Sequence, residues 1–211
     1  NALLDDIINS KKLTAKAVFG LFPAHRQQDD LILFADENRD KQLMKLHQLR
    51  QQSKKPAGQF NRCLADYIAD KTSGIKDYVG AFAVSAGYGC DDLVKEFAAQ
   101  HDDYNSILVK AVADRLAEAS AEYLHEKIRK EYWGYAPQES LANDDLIREK
   151  YQGIRPAPGY PACPEHTEKG LLWELLNVEE NIGMELTSSF AMWPGAAVSG
   201  WYFAHPESKY F

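Results

Sequence analysis

The spacing of hydrophobic residues changes several times along the first quarter of the chain, and each spacing predicts a helix or a strand. Apolar residues at helical spacing predict a helix over residues 2–10. Two runs rich in β-branched and aromatic residues, 15–22 and 31–35, predict an antiparallel hairpin in which Pro23 closes the first strand. Three leucines at helical spacing then predict a short helix within residues 39–52.

The middle of the chain alternates between one strand pattern and two helix patterns. Residues 60–68 fit either a strand or a short helix, whereas the apolar run Tyr78–Tyr88 predicts a buried strand. Helices are expected over residues 91–100 and 105–131. The longer helix has a predicted apolar stripe, and Glu122 and His125 are expected on its solvated face. The stripe comprises Leu108, Val112, Leu116, Ala119 and Tyr123.

The last third of the chain predicts short helices over residues 144–151 and 169–176 and strands over 184–193 and 197–204. The two strands are joined across a Pro-Gly pair, and the second alternates between two faces. Hairpin-type connections outnumber helical crossovers throughout. The sequence therefore predicts an α+β fold, without repeated βαβ units.

Composition excludes several classes of protein. The formal net charge of −7 over 211 residues leaves no basic excess for nucleic-acid phosphates, so we expect no nucleic-acid partner. No apolar run approaches ~18 residues, and we expect no membrane span. The N-terminus lacks the pattern of a signal peptide. Three widely spaced cysteines predict free thiols in a reducing compartment, which indicates a cytoplasmic protein.

Candidate binding chemistry concentrates in residues 153–164, where four prolines and two glycines predict a stiff loop. Arg155 in this loop suits a carboxylate, which its planar fork can bind through two parallel hydrogen bonds. Tyr160 offers a ring face to a cation, and Gly159 permits close approach of a ligand or another backbone. An α-amino acid head joined to a cationic centre matches this set. The alternative is a loop that only connects elements.

Other motifs do not predict a site. The lone Gly87-Tyr88-Gly89 has no third glycine for a dinucleotide-binding turn. Cys163 and His166 have a C-x₂-H spacing without a second pair of ligands, so no metal site is predicted. No nucleophile motif is evident, and no catalytic residue is predicted.

The loop sequence also resembles a known family. Arg155, Gly159 and Tyr160 meet an Arg-x-x-x-Gly-Tyr pattern that is similar to the signature of the activation domain of cobalamin-dependent methionine synthase. Further similar stretches are 15–24, 49–52, 80–84 and 199–211, so the resemblance covers essentially the whole chain. It implies a mainly antiparallel bent sheet flanked by helices. It also implies that residues 1–211 form a single activation domain truncated at both ends, with a further ligand-binding aspartate upstream and a strand-like run cut at Phe211.

The resemblance implies a site for S-adenosylmethionine. Arg155 would bind the carboxylate, and acidic residues would answer the positive charge of the ligand. Tyr160 would face the sulfonium or the ribose, and an aromatic pair at the C-terminus would lie near the ligand. The implied binding residues are Glu118, Glu149, Arg155, Pro156, Ala157, Gly159, Tyr160, Tyr210 and Phe211.

The implied function is part of an enzyme, the 5-methyltetrahydrofolate–homocysteine methyltransferase. The domain would supply the methyl group for reductive remethylation of cob(II)alamin, which a neighbouring cobalamin-binding module holds. Flavodoxin or a flavoprotein reductase would donate the electron, and zinc would belong to a separate domain. The chain by itself is expected to be inactive.

Two alternatives remain at this point. One is a non-catalytic interaction domain that docks on the cobalamin module or on the electron-donor flavoprotein without a ligand. The other is a stand-alone S-adenosylmethionine methyltransferase of the Rossmann type, against which the missing glycine-rich loop counts.

Overall fold

A five-stranded antiparallel sheet organises the chain, of which the computed structural model describes residues 2–211. The strand order is β3-β2-β1-β4-β7, and every neighbouring pair is antiparallel. This architecture, with helices on both faces, confirms the predicted α+β fold. The strands are β1 (Thr14–Gln27), β2 (Asp30–Phe34), β3 (Gln42–His47), β4 (Asp77–Tyr88) and β7 (Ala197–Tyr202), and a separate hairpin pairs β5 (Glu185–Leu186) with β6 (Met192–Trp193).

Helices precede the sheet, lie between its strands and cover it. The long helix α3 continues into a π-helical turn, Ile128–Tyr132, and a short 3-10 helix, Leu64–Tyr67, lies where the sequence left strand and helix open. The helix predicted over 144–151 is shorter than expected. The α-helices are α1 (Ala2–Ser10), α2 (Cys90–Ala99), α3 (Asp103–Lys127), α4 (Asn143–Ile147), α5 (Glu168–Leu176) and α6 (Val178–Ile182).

The inner strand β4, between β1 and β7, divides the core in two because its side chains alternate between the faces of the sheet. Val79, Ala81 and Ala83 belong to the larger core under α5 and α6. Phe82 and Val84 face α3 instead. The predicted buried strand is thus confirmed, and its uninterrupted apolar run reflects burial on both faces.

The strand β1 continues beyond Pro23, which was expected to end it. Pro23 lies opposite Tyr78 of β4, and the pairing of β1 with β2 starts one residue later, at Ala24 with Leu33. Proline is tolerated in a strand where its missing N–H is not required by a partner. The remaining residues of β1 therefore form the predicted hairpin with β2.

The helix predicted within residues 39–52 is wrong, since the structure has the edge strand β3 there. Leu46 is fully buried and Met44 packs against the core, whereas Leu43 and Leu49 are exposed. This is the two-residue period of a strand. Three leucines were too few to distinguish it from a helix, and pairing with β2 decides the outcome.

The predicted apolar stripe of α3 is also wrong, because the buried face lies about one residue further along the helix. Leu116 is 38% exposed and Tyr123 is 61% exposed. The first four residues of the buried face are small and spaced by four, which allows α3 to lie close to β4 and α2. Its members are Val109, Ala113, Ala117, Ala121, Leu124 and His125.

The C-terminal third has less strand than predicted. Only β5 and β6 form within residues 184–193, and the residues after Phe203 are irregular. Tyr210 therefore does not lie in a strand. Within residues 2–211 no helix has the length and hydropathy to cross a bilayer. The three cysteines are free and buried.

Candidate functional site

The proline-rich loop is attached to the end of β7 as if it were a further strand. Ile154 and Phe203 exchange two backbone hydrogen bonds of 2.9 and 3.0 Å, and Trp201 N donates to the carbonyl of Pro156 at 3.0 Å. A Cβ at Gly200 would collide with that same carbonyl. Glycine at this position therefore lets the loop approach β7, which fixes the backbone on either side of Arg155.

The other end of the loop is closed by a tight turn. Gly159 has φ +102, and its N–H donates to the carbonyl of Cys163 at 2.7 Å. A Cβ at Gly159 would collide with the imidazole ring of His166. His166 thus occupies the space beside Gly159 in which a ligand or another backbone was expected. Contact between Gly159 and a ligand stays a prediction.

A cleft of about 430 Å³ opens between this loop, α3, β7 and the C-terminal segment. All the predicted binding residues except Gly159 line it, although they come from three distant parts of the sequence. Two larger clefts, of about 600 and 620 Å³, lie over α5 and α6 and beside the 3-10 helix, away from Arg155. The cleft is lined by Glu118, Glu149, Arg155, Pro156, Ala157, Tyr160, Pro161, Ala162, Val198, Tyr210 and Phe211.

Acidic and aromatic side chains stand at the rim of the cleft. Glu118 is exposed on α3, and Glu149 is exposed in a turn after α4 with φ +52. Tyr160 is exposed, whereas the hydroxyl of Tyr210 accepts a hydrogen bond of 3.0 Å from the backbone N–H of Arg155. Tyr210 therefore ties the C-terminal segment to the loop at the position of the candidate arginine.

Arg155 forms the cationic end of the cleft. Its side chain is 19% exposed, and Nη2 donates to Oε2 of Glu122 at 2.9 Å. Burial by itself would lower the pKa of Arg155, but the Glu122 carboxylate and neighbouring tyrosines outweigh it and raise the pKa. The guanidinium is therefore charged, and Nε has no hydrogen-bond partner among residues 2–211.

A buried ion-pair network lies behind Arg155. The second oxygen of Glu122 is 3.6 Å from Nη1 of Arg129, a fully buried residue in the π-helical turn. Arg129 binds Glu139 through Nε and Nη2 at 2.8 to 3.0 Å, and its guanidinium lies 4.3 Å from the ring centroid of Tyr151. The expectation that Glu122 lies on a solvated face is wrong, because two arginines hold it behind Arg155.

His125 was also expected on the solvated face, and it is fully buried. Its ring stacks on Tyr202 with centroids 5.1 Å apart and meets Tyr151 edge-on at 4.9 Å. Neither ring nitrogen has a hydrogen-bond partner among residues 2–211. Burial, with the charges of Arg129 and Arg155, lowers the pKa of His125 well below its ordinary value, so the ring is neutral.

Comparison with known proteins assigns the chain to a family. The family model described as "Vitamin B12 dependent methionine synthase, activation domain" matches residues 1–211. The chain belongs to this family. The resemblance seen in the loop sequence is thereby confirmed.

A solved structure is similar to this activation domain over its whole length. It is a crystal structure of the MetH reactivation domain bound to AdoHcy, with 62% sequence identity and a TM-score of 0.97. The match covers 100% of this chain and 65% of that one. This agreement confirms the antiparallel sheet and the flanking helices as the fold of the family.

Sequence reasoning missed the residues of this activation domain that support Arg155. Glu122, His125 and Arg129 follow Glu118 on one side of α3, at spacings of four, three and four residues. This spacing marks a helix face, and it adjoins the buried positions Ala121 and Ile128. The spacing of these four residues indicates a common face, but the predicted apolar stripe of α3 lies one residue away from the buried positions beside it.

Acid should destabilise the domain through His125. Its pKa in the folded state lies below the unfolded value of about 6.5. Below the unfolded pKa, His125 binds a proton in the unfolded chain but stays neutral in the folded state. Its contribution to stability is therefore complete above the unfolded pKa and is lost as the pH falls. We expect the free energy of unfolding to fall by up to about 1.4 kcal/mol per pH unit between about pH 6.5 and 5.

The measurement is urea denaturation across this pH range for the wild type and for His125→Phe, which keeps a ring in the stack. The variant should show a smaller pH dependence. His101→Asn, at an exposed position before α3, is the matched control and should behave like the wild type. An identical pH dependence in His125→Phe and the wild type would contradict the assignment.

Proposed function

We propose that this activation domain binds S-adenosylmethionine, and its demethylated product S-adenosylhomocysteine, in the cleft beside Arg155. The observation that carries the proposal is the placement of one buried arginine and two exposed carboxylates in the same cleft. The ligand has the complementary groups, a carboxylate and an ammonium, and the donor adds a sulfonium. AdoHcy is bound in the solved relative at 62% identity, which supports the same ligand class.

The cleft suggests a role for each lining residue. Arg155 binds the carboxylate of the ligand, because its guanidinium lines the cleft and its charge is permanent. Glu118 and Glu149 attract the ammonium and the sulfonium, and Tyr160 lays its ring face near the positive charge. Pro156 and Ala157 form the wall that β7 supports, and Tyr210 and Phe211 close the far side. A volume of about 430 Å³ falls within the range of small-molecule sites.

The reaction we propose is methyl transfer from the sulfonium to cobalamin during reactivation of the enzyme. Cobalamin, held by a neighbouring module and reduced by one electron from the proposed electron donor, would supply the electron pair that forms the new bond to the methyl carbon. As the bond between the methyl carbon and sulfur breaks, the sulfur keeps the electron pair and becomes a neutral thioether. No acid or base is required from the domain, whose residues bind the donor, hold its amino-acid head and leave the methyl group facing outward.

The partners follow from membership in the family. We propose that the domain docks reversibly on the cobalamin module and works with an electron donor, flavodoxin or a flavoprotein reductase, in the cytoplasm. Zinc belongs to a separate domain of the intact enzyme. Interfaces between domains of one enzyme that exchange partners are modest in area and rather polar.

The domain by itself should bind S-adenosylmethionine and S-adenosylhomocysteine without turnover. Addition of the cobalamin module and a reductant should produce methylation that depends on S-adenosylmethionine, visible as a change in the corrin absorption spectrum. Calorimetric titration measures the first result and absorption spectroscopy the second. A domain that binds neither ligand but still binds the cobalamin module would favour the interaction-domain alternative. Methylation of an unrelated small acceptor without cobalamin would indicate an ordinary methyltransferase.

A further inference from the structure

We propose that Glu122 is a positioning residue for ligand binding, which holds the guanidinium of Arg155 in the orientation that receives the ligand carboxylate. The inference rests on the proposed function of the cleft. Glu122 is not a lining residue of the cleft. It would therefore act through Arg155 and not by touching the ligand.

The first step of the argument concerns what fixes Arg155. The backbone of the loop is held by β7 and by the hydroxyl of Tyr210. Beyond the backbone, an arginine side chain has several rotatable bonds and loses much rotamer freedom when it is ordered. The hydrogen bond of 2.9 Å from Nη2 to Glu122 supplies that order before a ligand arrives. Nε is buried and has no partner in the described chain. The ligand carboxylate therefore meets the part of the guanidinium that lines the cleft.

The second step concerns what fixes Glu122. Its other oxygen lies 3.6 Å from Nη1 of Arg129, whose side chain is fully buried. Arg129 cannot move easily, because Glu139 binds it through two nitrogens and the ring of Tyr151 covers its guanidinium. Glu122 is therefore held from behind by a charge in a fixed position. The buried ion pair of Arg129 and Glu139 thus holds Glu122, and Glu122 in turn orders Arg155 at the cleft.

The third step weighs two opposite effects of Glu122. Its negative charge competes with the ligand carboxylate for Arg155, which would weaken binding. Its hydrogen bond pre-organises the guanidinium, which strengthens binding because less freedom is lost on association. Charge competition is reduced by water at the open cleft, whereas the orientation of the planar fork decides whether two parallel hydrogen bonds form. Pre-organisation should therefore prevail.

The experiment compares two ligands by calorimetric titration. S-adenosylhomocysteine carries the carboxylate, and 5′-methylthioadenosine lacks the whole amino-acid head. In Glu122→Met, which keeps the length of the side chain but cannot accept the hydrogen bond, the affinity for S-adenosylhomocysteine should fall about tenfold, while that for methylthioadenosine should change less than about twofold. A merely structural role would weaken both ligands alike.

The matched control is Glu126→Gln, one turn further along α3, where the exposed side chain pairs with Lys130. It removes the same charge and should leave the ratio of the two affinities, that for S-adenosylhomocysteine divided by that for methylthioadenosine, at the wild-type value. Glu122→Asp is the second variant. It keeps both arginines paired in charge and should fold, but it withdraws the carboxylate by one methylene group, so the ratio should again fall.

The outcomes separate the inference from the function beneath it. An unchanged or larger ratio in Glu122→Met would overturn the positioning role, as would wild-type behaviour in Glu122→Asp. Failure of the wild-type domain to bind S-adenosylhomocysteine, or to distinguish it from methylthioadenosine, would overturn the proposed function itself.

Discussion

Replacement of Arg129 by methionine should lower the free energy of unfolding by about 3–5 kcal/mol, the usual cost of removing one partner of a buried ion pair. Arg129 is fully buried, and Glu139 depends on it for charge compensation, whereas Glu122 is shared between Arg129 and Arg155. Methionine fills a similar volume but leaves the Glu139 carboxylate buried without a cation. Urea denaturation, followed by circular dichroism at neutral pH, measures the change.

A double variant gives this prediction its control. Arg129→Met combined with Glu139→Leu removes both charges and replaces them with apolar side chains, so most of the lost stability should return. Glu122 stays paired with Arg155 in both variants. If the single variant is destabilised by less than about 1 kcal/mol, the network behind the cleft does not contribute as the geometry indicates.

Replacement of Arg155 by alanine should weaken the binding of S-adenosylhomocysteine by about 1.5–3 kcal/mol, the range for hydrogen bonds to a charged group. The reason is the loss of the cation that faces the ligand carboxylate. Arg155→Lys should recover only part of the affinity, because lysine keeps the charge but not the planar fork. Calorimetric titration into each variant measures the effect.

The matched control for this prediction is Arg148→Ala, an exposed arginine at the end of α4 that does not line the cleft. The affinity of Arg148→Ala for S-adenosylhomocysteine should equal that of the wild type. Methylthioadenosine, which has no carboxylate, should bind Arg155→Ala almost as well as it binds the wild type. Wild-type affinity for S-adenosylhomocysteine in both Arg155 variants, with the fold intact, would refute the assignment.

Long, uninterrupted patterns in the sequence were sufficient for much of the fold. The apolar run of β4, the hairpin of β1 and β2, and the helical spacing of α2 and α3 were each predicted within a few residues of their observed bounds. Short patterns were not sufficient. The leucines of β3 fit a helix as well as a strand, and only the open edge of β2 selects the strand.

The sequence by itself also determined the stiff loop and, through its motif, the family and the candidate residues Arg155 and Tyr160. Proline and glycine act on their own backbone, so their effect can be predicted locally. Tertiary structure decided what surrounds Arg155. Glu122 is 33 positions away and Tyr210 is 55 positions away, and both reach it only because α3 and the C-terminal segment pack beside β7.

The burial of His125 and Arg129 was likewise decided by packing. Their side chains are polar, so the hydrophobic pattern predicts solvent for them, and only the aromatic rings and carboxylates brought from other elements make burial tolerable. Local periodicity records which face of a helix is apolar. It does not record which distant charge will meet a buried one, because that pairing depends on the three-dimensional arrangement of the helices and strands.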